Sequence, residues 1–371
     1  MKKKIFLFIF TVGLIAATYA QNNKCSYGVS VLDSSATTFD RDLIAFVEKT
    51  AASKATNAQK LLLLRDALDM AKTSAQKKAI LQQIARTGTF LGLLTSGAFL
   101  EDTEAEVQQA AVQAVFTIAL DHPEYFGSLV TSLLNKAIEV NKSPNADSQK
   151  SAVHKHLAAL PKEGGFVSMI HGKDLTGWKA SLPDGRARMT PEQIADFVEK
   201  SGEMCKYVWV ARDNMLVYLG GNTEAMYKNY PNLATVQEYG DFELYLDWRI
   251  ERKSDSGIYL RDMPQVNLWD TSNRNASVGS GGLMNNTKPP TTPLVCADNP
   301  TEEWNSFYIK MVGDKVYVLL NGQLVVDNLP IENLWLRATS GPIPDRGPIA
   351  LQAHGRRVDF RDLYIREIPR R

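Results

Sequence analysis

From Phe39 to about Leu160, apolar residues recur with helical period, and glycine and aromatic residues are scarce. Val107, Ala110, Ala111, Ala114, Val115 and Ile118 fall at i, i+3, i+4 spacing and form one apolar stripe. Thr103 and Glu106 have the spacing of a capping box that would start this helix. His122-Pro123 ends it, because proline disfavours a helical residue before it. Tyr125 to Val140 resumes the pattern, and Lys78 to Gly88 is a similar amphipathic stretch upstream. Paired helices with small alanines at the crossing points suggest an all-α, HEAT-like repeat region over 21–160, with a period of ~40 residues. An irregular helical bundle fits the same pattern. The histidines here, His122, His154 and His156, read as solvated residues; two residues of spacing puts His154 and His156 on different helix faces.

Lys162-Glu163-Gly164-Gly165 marks a change of period. All six tryptophans lie beyond it. Phe242, Leu244, Leu246, Trp248 and Ile250 alternate with Glu243, Tyr245, Asp247 and Arg249, the signature of a half-buried strand. Lys315–Leu320 and Gln323–Asp327 flank Asn321-Gly322, a strong hairpin signal. Ile349–Ala353 and Val358–Ile368 read as a further strand pair around Gly355, and Thr190–Lys200 as a helical insertion. Many short strands suggest a two-sheet antiparallel sandwich over 166–369. The fold class expected is therefore multidomain α + β, with helices first and a β-sandwich second.

Strand parity sorts side chains into core and outward sets. With Ile258, Leu260, Val266, Leu268, Ile349, Leu351 and Ala353 inward, the outward set is Tyr259, Arg261, Gln265, Asn267, Trp269, Ala350, Gln352 and His354. Asp247 joins by the same rule if its strand shares the sheet. Such an exposed face of amide, aromatic, cationic and carboxylate groups suits a sugar.

The ends and the charge add an address. Lys2, Lys3 and Lys4 precede the apolar run Ile5–Ala17, and Thr18-Tyr19-Ala20 resembles a cleavage site, so residues 1–20 read as a secretory signal peptide and the protein as periplasmic or secreted. Asn22-Asn23-Lys24 before Cys25 does not make a lipobox. No later segment reads as a membrane span. The chain has 371 residues with 42 basic and 41 acidic side chains, a balance that gives no reason to expect nucleic-acid binding. Three cysteines leave at least one free thiol or apolar filler.

The run from Phe166 to Ile368 resembles the 3-keto-disaccharide hydrolase family, also described as 3-keto-glucoside 1,2-lyase and 3-keto-2-hydroxy-glucal hydratase. The pieces occur in order: GKDLTGW from Gly172, YGDFELYLDWRI from Tyr239, DSGIYLR from Asp255, PQVNLWD from Pro264, GSGGLMNN from Gly279, EWNSFYIKMVG from Glu303, NGQLVVDN from Asn321, GPIALQAHG from Gly347 and FRDLYIRE from Phe360. The resemblance implies a concanavalin A-like jelly roll. It also implies a substrate oxidised at C3, supplied by an oxidoreductase elsewhere. Four positions depart from the family pattern. Ala350 stands in place of Glu, Met284 of Tyr, Asn267 of Gln, and His171 of Asn or Asp.

A 3-keto sugar opens an elimination route. The C3 carbonyl acidifies the C2 proton, a base removes it, and the C1 aglycone leaves; water then adds to the glycal. The site needs a base, a positive group or metal on the enolate oxygen, and a donor for the leaving oxygen. His354 is the first candidate base or acid, its alternative being a cap on the Gly355 turn. Arg261 is the candidate cation, or else an outward ion pair with Asp247. Asp247 is a second candidate base or a metal ligand. Tyr259, Gln265, Asn267 and Gln352 would bind the sugar, and Trp269 would stack on it unless it is a core tryptophan. Asn285 and Asn286 lie in a Gly-rich loop that would cover the site or form an ordinary turn. Asp270 competes as a turn residue. No spacing announces a metal, although a divalent ion held by distant residues is compatible with enolate chemistry. A non-catalytic carbohydrate-binding module is the alternative reading, which the missing carboxylate at Ala350 favours slightly.

Overall fold

The computed structural model describes residues 39–183, 186, 189–221, 230–263, 265–272, 278–284, 286–287, 290–333 and 342–369. The signal segment and Asn285 lie outside these residues. Helices come first: α1 (Phe39–Ala52), α2 (Asn57–Met70), α3 (Ser74–Thr87), α4 (Phe90–Gly97), α5 (Ala105–Asp121), α6 (Ser128–Val140) and α7 (Ala146–Ala159). Threonine starts three of them. Thr56 and Thr73 form capping boxes with Gln59 and Gln76, and Thr89 accepts the Gly92 N–H. Gly88 closes α3 with φ 60°, a left-handed turn that glycine adopts without strain.

The stripe from Val107 to Ile118 is buried throughout, as its spacing predicts. The expected Thr103–Glu106 capping box does not form. The helix starts behind Glu104 with no side-chain cap, because Asp102 Oδ1 accepts the Glu104 N–H at 2.9 Å and holds the preceding turn itself. His122 ends α5 as expected. The next helix begins at Ser128 rather than Tyr125, since Gly127 at φ 103° breaks the run. Among the described residues, no helix is long and apolar enough to cross a membrane.

The sandwich follows with β1 (Val167–Ser168), β2 (Trp178–Ser181), α8 (Pro191–Val208), β3 (Trp209–Arg212), β4 (Met215–Tyr218), β5 (Asn232–Thr235), β6 (Phe242–Ile250), β7 (Asp255–Leu260), β8 (Gln265–Trp269), β9 (Asn305–Val312), β10 (Lys315–Leu320), β11 (Gln323–Pro330), β12 (Ile349–Leu351) and β13 (Val358–Glu367). The larger sheet has the order β11-β10-β9-β6-β13-β4-β3, with β1 also on β13. The smaller sheet has the order β2-β5-β12-β7-β8. Every pairing is antiparallel. Leu246, Trp248, Phe307 and Phe360 of the larger sheet meet Ile258, Val266, Leu268 and Leu351 of the smaller one in a single apolar core. This is the α + β architecture with an antiparallel sandwich that the period change implies.

The Asn321-Gly322 hairpin joins β10 to β11, with both residues at positive φ (51° and 75°). The expected pairing of the last two strands is corrected. β12 lies in the smaller sheet and β13 in the larger one. Gly355, at φ 68°, turns the chain from one layer to the other rather than closing a hairpin.

The helical region packs on the outward face of the larger sheet. Phe90 of α4 is the hub, with ring centroids 4.6 Å from Phe166, 5.4 Å from Tyr245 and 5.7 Å from Tyr364. Thr56 Oγ1 donates to Asn321 O of the hairpin at 2.5 Å. A bulge in β13 between Arg361 and Tyr364, with Asp362 at φ 53°, puts two consecutive side chains on the helix side, since Phe360 and Leu363 both point into the core.

One buried carboxylate sets a pH dependence. Burial pushes the Asp298 carboxyl up to about 6, although its Oδ2 accepts the Ser280 N–H at 2.9 Å. The folded state therefore holds this proton more tightly than the unfolded chain. Its stabilising contribution is present below the unfolded pKa and is lost as pH rises to about 6. Above that, ionisation in the fold costs about 3 kcal/mol. Asp298→Asn is expected to raise stability at neutral pH by up to that amount and to lose the advantage near pH ~4. Urea unfolding midpoints of both proteins at the two pH values check this.

Candidate functional site

The outward face of the smaller sheet can be built row by row from its register. Ala350 pairs with Ala234 on one side and Tyr259 on the other, and Tyr259 pairs with Gln265. The adjacent row carries Gln352, whose N–H donates to Gly257 O, then Gly257 and its partner Asn267. The third row carries Asp255, paired with Trp269. Parity thus brings Tyr259, Gln265, Asn267, Trp269 and Gln352 onto one surface, as the alternation of core residues predicts. The floor is small, made of Ala234, Ala350 and Gly257. Gln265 folds across Gly257, where a Cβ would meet its amide.

The sequence predicts this face to be exposed, and it is not. Tyr259, Gln265, Asn267 and Gln352 are buried, whereas Trp269, His354 and Asp255 keep accessible surface. Two amide atoms are buried without a hydrogen-bond partner, Gln265 Oε1 and Asn267 Nδ2. An unmet acceptor and an unmet donor on one surface are costly unless a ligand pairs them.

His354 borders the face. Its Nδ1 hydrogen-bonds the Asp255 carboxylate, and the imidazole is 23 % exposed. If the ring is neutral with Nδ1 protonated, Asp255 fixes that tautomer and leaves Nε2 as the basic atom. The partner of His354 was not apparent from sequence, because the two residues are ninety-nine apart and meet only through the β7–β12 neighbourhood. At the other end stands Arg186, buried, with its guanidinium 5.9 Å from the Tyr259 ring centroid and Nη1 donating to Asp262 at 2.6 Å. Sequence reasoning missed Arg186. It sits between β2 and α8, outside any periodic pattern.

Three expected site residues belong elsewhere. Asp247 lies on β6 of the larger sheet, so its outward side is the opposite side of the sandwich. It is fully buried under α2, accepting from Arg65 Nη1 at 2.9 Å and from Arg361 Nε at 3.3 Å. Arg261 follows β7 at φ 54° and turns its guanidinium away from the face. It donates to Gly240 O at 2.8 Å, to Gly313 O at 2.8 Å and to Asp241 Oδ1 at 2.7 Å, binding three loops together. A cation saturated by fixed acceptors cannot move to an enolate without breaking that junction. Asn286 is a loop clamp, donating to Pro330 O at 2.8 Å and accepting the Glu332 N–H at 3.1 Å.

Asp270 is the turn residue that parity implies. Burial opposes its ionisation, but hydrogen bonds from Lys253 N, Ser272 and Thr301 hold its carboxyl below the usual range. Cys205 is a buried free thiol, pushed up to about 11 by burial. Among the described residues, no group of three or more His, Cys, Asp or Glu is placed to hold a metal ion.

The face also separates its carboxylates. Asp255 opens β7 and Asp262 lies beyond its end, so ~16 Å of strand stands between them at ~3.3 Å per residue. Ordinary glycosidases hold their two carboxyl groups ~5–10 Å apart. Each carboxylate here is also tied to a base, one to His354 and one to Arg186.

Residues 165–366, just over half of the chain, match the 3-keto-alpha-glucoside-1,2-lyase-like domain. The chain belongs to this family. Membership in the 3-keto-alpha-glucoside-1,2-lyase-like family places it among carbohydrate-active proteins. No curated protein matches the chain. Solved structures similar to it include a Parabacteroides distasonis protein described as a "putative glycosyl hydrolase", at 20 % identity over 55 % of this chain and 94 % of the other, with a TM-score of 0.38. The carbohydrate-binding module CBM66 of Bacillus subtilis is 10 % identical over 42 % of this chain and 88 % of its own, TM-score 0.27. The β-glucanase of Bacillus licheniformis is 9 % identical over 44 % and 83 %, TM-score 0.28.

Proposed function

We propose that the chain cleaves 3-keto-glucosides by elimination, hydration or both, on the outward face of the smaller sheet. The observation that carries this reading is the His354–Asp255 pair, bordering a surface with an unpaired donor and an unpaired acceptor. In the reaction, His354 Nε2 removes the C2 proton, and the electron pair forms the C2–C3 double bond of an enolate. Asn267 Nδ2 donates to the C3 oxygen as its negative charge grows. The enolate then re-forms the carbonyl, the C1–O bond breaks, and the aglycone oxygen takes from the His354 imidazolium the proton that came from C2. Addition of water across the resulting double bond returns a free 3-keto sugar. Gln265 and Gln352 bind ring hydroxyls, and Trp269 supplies an apolar platform. Arg186 holds the Tyr259 end of the face.

The Lys2–Lys4 and Ile5–Ala17 pattern supports a periplasmic or secreted location for this activity, where an oxidoreductase would supply the 3-keto group. The alternative is a carbohydrate-binding module without turnover, which the apolar floor at Ala350 fits. A chromogenic 3-keto-glucoside decides between them. Release of aglycone by the mature protein, with none from the unoxidised glucoside, is the expected result. Saturable sugar binding without release would assign the binding module, and EDTA sensitivity would reveal a metal requirement.

A further inference from the structure

Cys296 is disulfide-bonded, whereas Cys205 is a free thiol buried under the sandwich. The chain has three cysteines, which leaves Cys25 as the one partner available within a single chain. Cys25 itself lies outside the described residues. Burial pushes the Cys205 thiol up to about 11, so it supplies little thiolate to exchange with the bond at Cys296.

The surroundings of Cys296 suit such a partner. Leu294 N donates to Val325 O of β11 at 2.9 Å, so this stretch runs along the edge of the larger sheet. Gly279 lies against it, where a Cβ would meet Cys296 Cα at 2.9 Å. Val278, Leu294 and Val295, close to Cys296 on these two segments, are 42 %, 55 % and 43 % exposed, an apolar patch without cover. The helical region is also within reach. Asn321 Nδ2 donates to Ala297 O at 2.8 Å, and Asn321 O accepts from Thr56 at the start of α2. The preceding helix, α1, has 14 residues and is ~21 Å long at ~1.5 Å per residue. Fourteen residue steps separate its first residue, Phe39, from Cys25, a reach of ~46 Å at ~3.3 Å per residue. That length spans α1 and the junction with chain to spare. Tyr27, Val29, Val31 and Leu32 follow Cys25 and supply apolar side chains for the patch.

We propose that Cys25 and Cys296 form a disulfide that fastens segment 21–38 onto the sandwich, over the patch of Val278, Leu294 and Val295. Its formation takes two electrons and two protons from the two thiols. A small-molecule or protein disulfide accepts them and leaves as two thiols. The bond ties the leading end of the helical region to the sandwich, a covalent link in addition to the aromatic contacts of Phe90. It closes a loop of most of the chain, the kind of cross-link that restricts the unfolded state most.

The mature protein, equilibrated with reduced and oxidised glutathione, is denatured, alkylated without reductant and digested with trypsin. The expected map has one alkylated cysteine, Cys205, and peptide 25–41 joined to peptide 275–310. Cys205→Ser should keep that cross-link, and Cys25→Ser should lose it. In the native protein, chymotryptic cleavage after Tyr27 should be at least about tenfold faster in Cys25→Ser, because the segment is released from the patch. The disulfide is overturned by three alkylated cysteines, by Cys296 joined to Cys205 or to a second chain, or by a lipid mass on Cys25. Equal cleavage rates would overturn the docking of the segment. None of these readouts depends on turnover of a sugar.

Discussion

His354→Ala is expected to lower turnover of a 3-keto-glucoside by about 10²–10⁴-fold while leaving binding of the unoxidised sugar intact. The imidazole contributes a proton-transfer group, and its loss removes a term that grows only as the C2–H bond breaks. Binding depends instead on the amides Gln265, Asn267 and Gln352, which sit on neighbouring rows of the sheet. Asp255→Asn should give a smaller loss in kcat with little change in KM, since it keeps the size of the partner but releases the tautomer of the ring. A pure structural role for the pair predicts another pattern, with both variants losing thermal stability and activity together. Single-turnover rates and unfolding midpoints on the same preparations separate the two. Unchanged turnover in His354→Ala would remove the histidine from the chemistry and shift attention to Arg186.

Alternation in β7, β8 and β12 was enough to place five of the expected residues on one surface, because core and outward positions on a strand are fixed by period two. The same rule failed for Asp247. Alternation states which residues oppose the core but not which sheet a strand joins, and the two sheets of a sandwich turn their outward faces in opposite directions. The partner that buries Asp247 is Arg65, 182 residues earlier, a separation that no local pattern spans. Arg261 failed for a different reason. Parity presumes extended backbone, and its positive φ ends the strand and redirects the side chain. Burial of the site amides was also illegible, because a period says which side a residue takes and nothing about what covers that side. Arg186 carried no signal at all. Its role depends on Asp262 and Tyr259, which become its neighbours only when the sandwich closes.

The second large effect follows from the misplaced aspartate. Arg65→Ala is expected to destabilise the protein by about 3–5 kcal/mol, read as a shift in the urea unfolding midpoint. Arg65 bridges Asp247 at 2.9 Å and Asp362 at 2.6 Å, while Arg361 reaches Asp247 at 3.3 Å and Asp362 at 3.5 Å. The two guanidinium groups face Asp247 and Asp362, with Asp66 close to both, in a space where burial already pushes the Asp247 carboxyl above its usual range. Removing Arg65 leaves two carboxylates sharing one guanidinium, and the charge stranded on a fully buried oxygen sets the size of the loss. Arg65→Ala with Asp247→Asn should recover part of it, since the neutral amide does not need the lost cation. The exposed Lys78–Glu106 pair, at 45 % and 69 % side-chain exposure, is the comparison, and its removal should cost no more than about 1 kcal/mol. Aglycone release per folded molecule should survive in Asp247→Asn, because the carboxylate lies on the far side of the sandwich from His354. A catalytic Asp247 would instead abolish release at unchanged stability. The ion cluster therefore anchors α2 to β6 and β13, and the bulge at Asp362 exists in the fold as the element that brings both of its β13 members to the helix side.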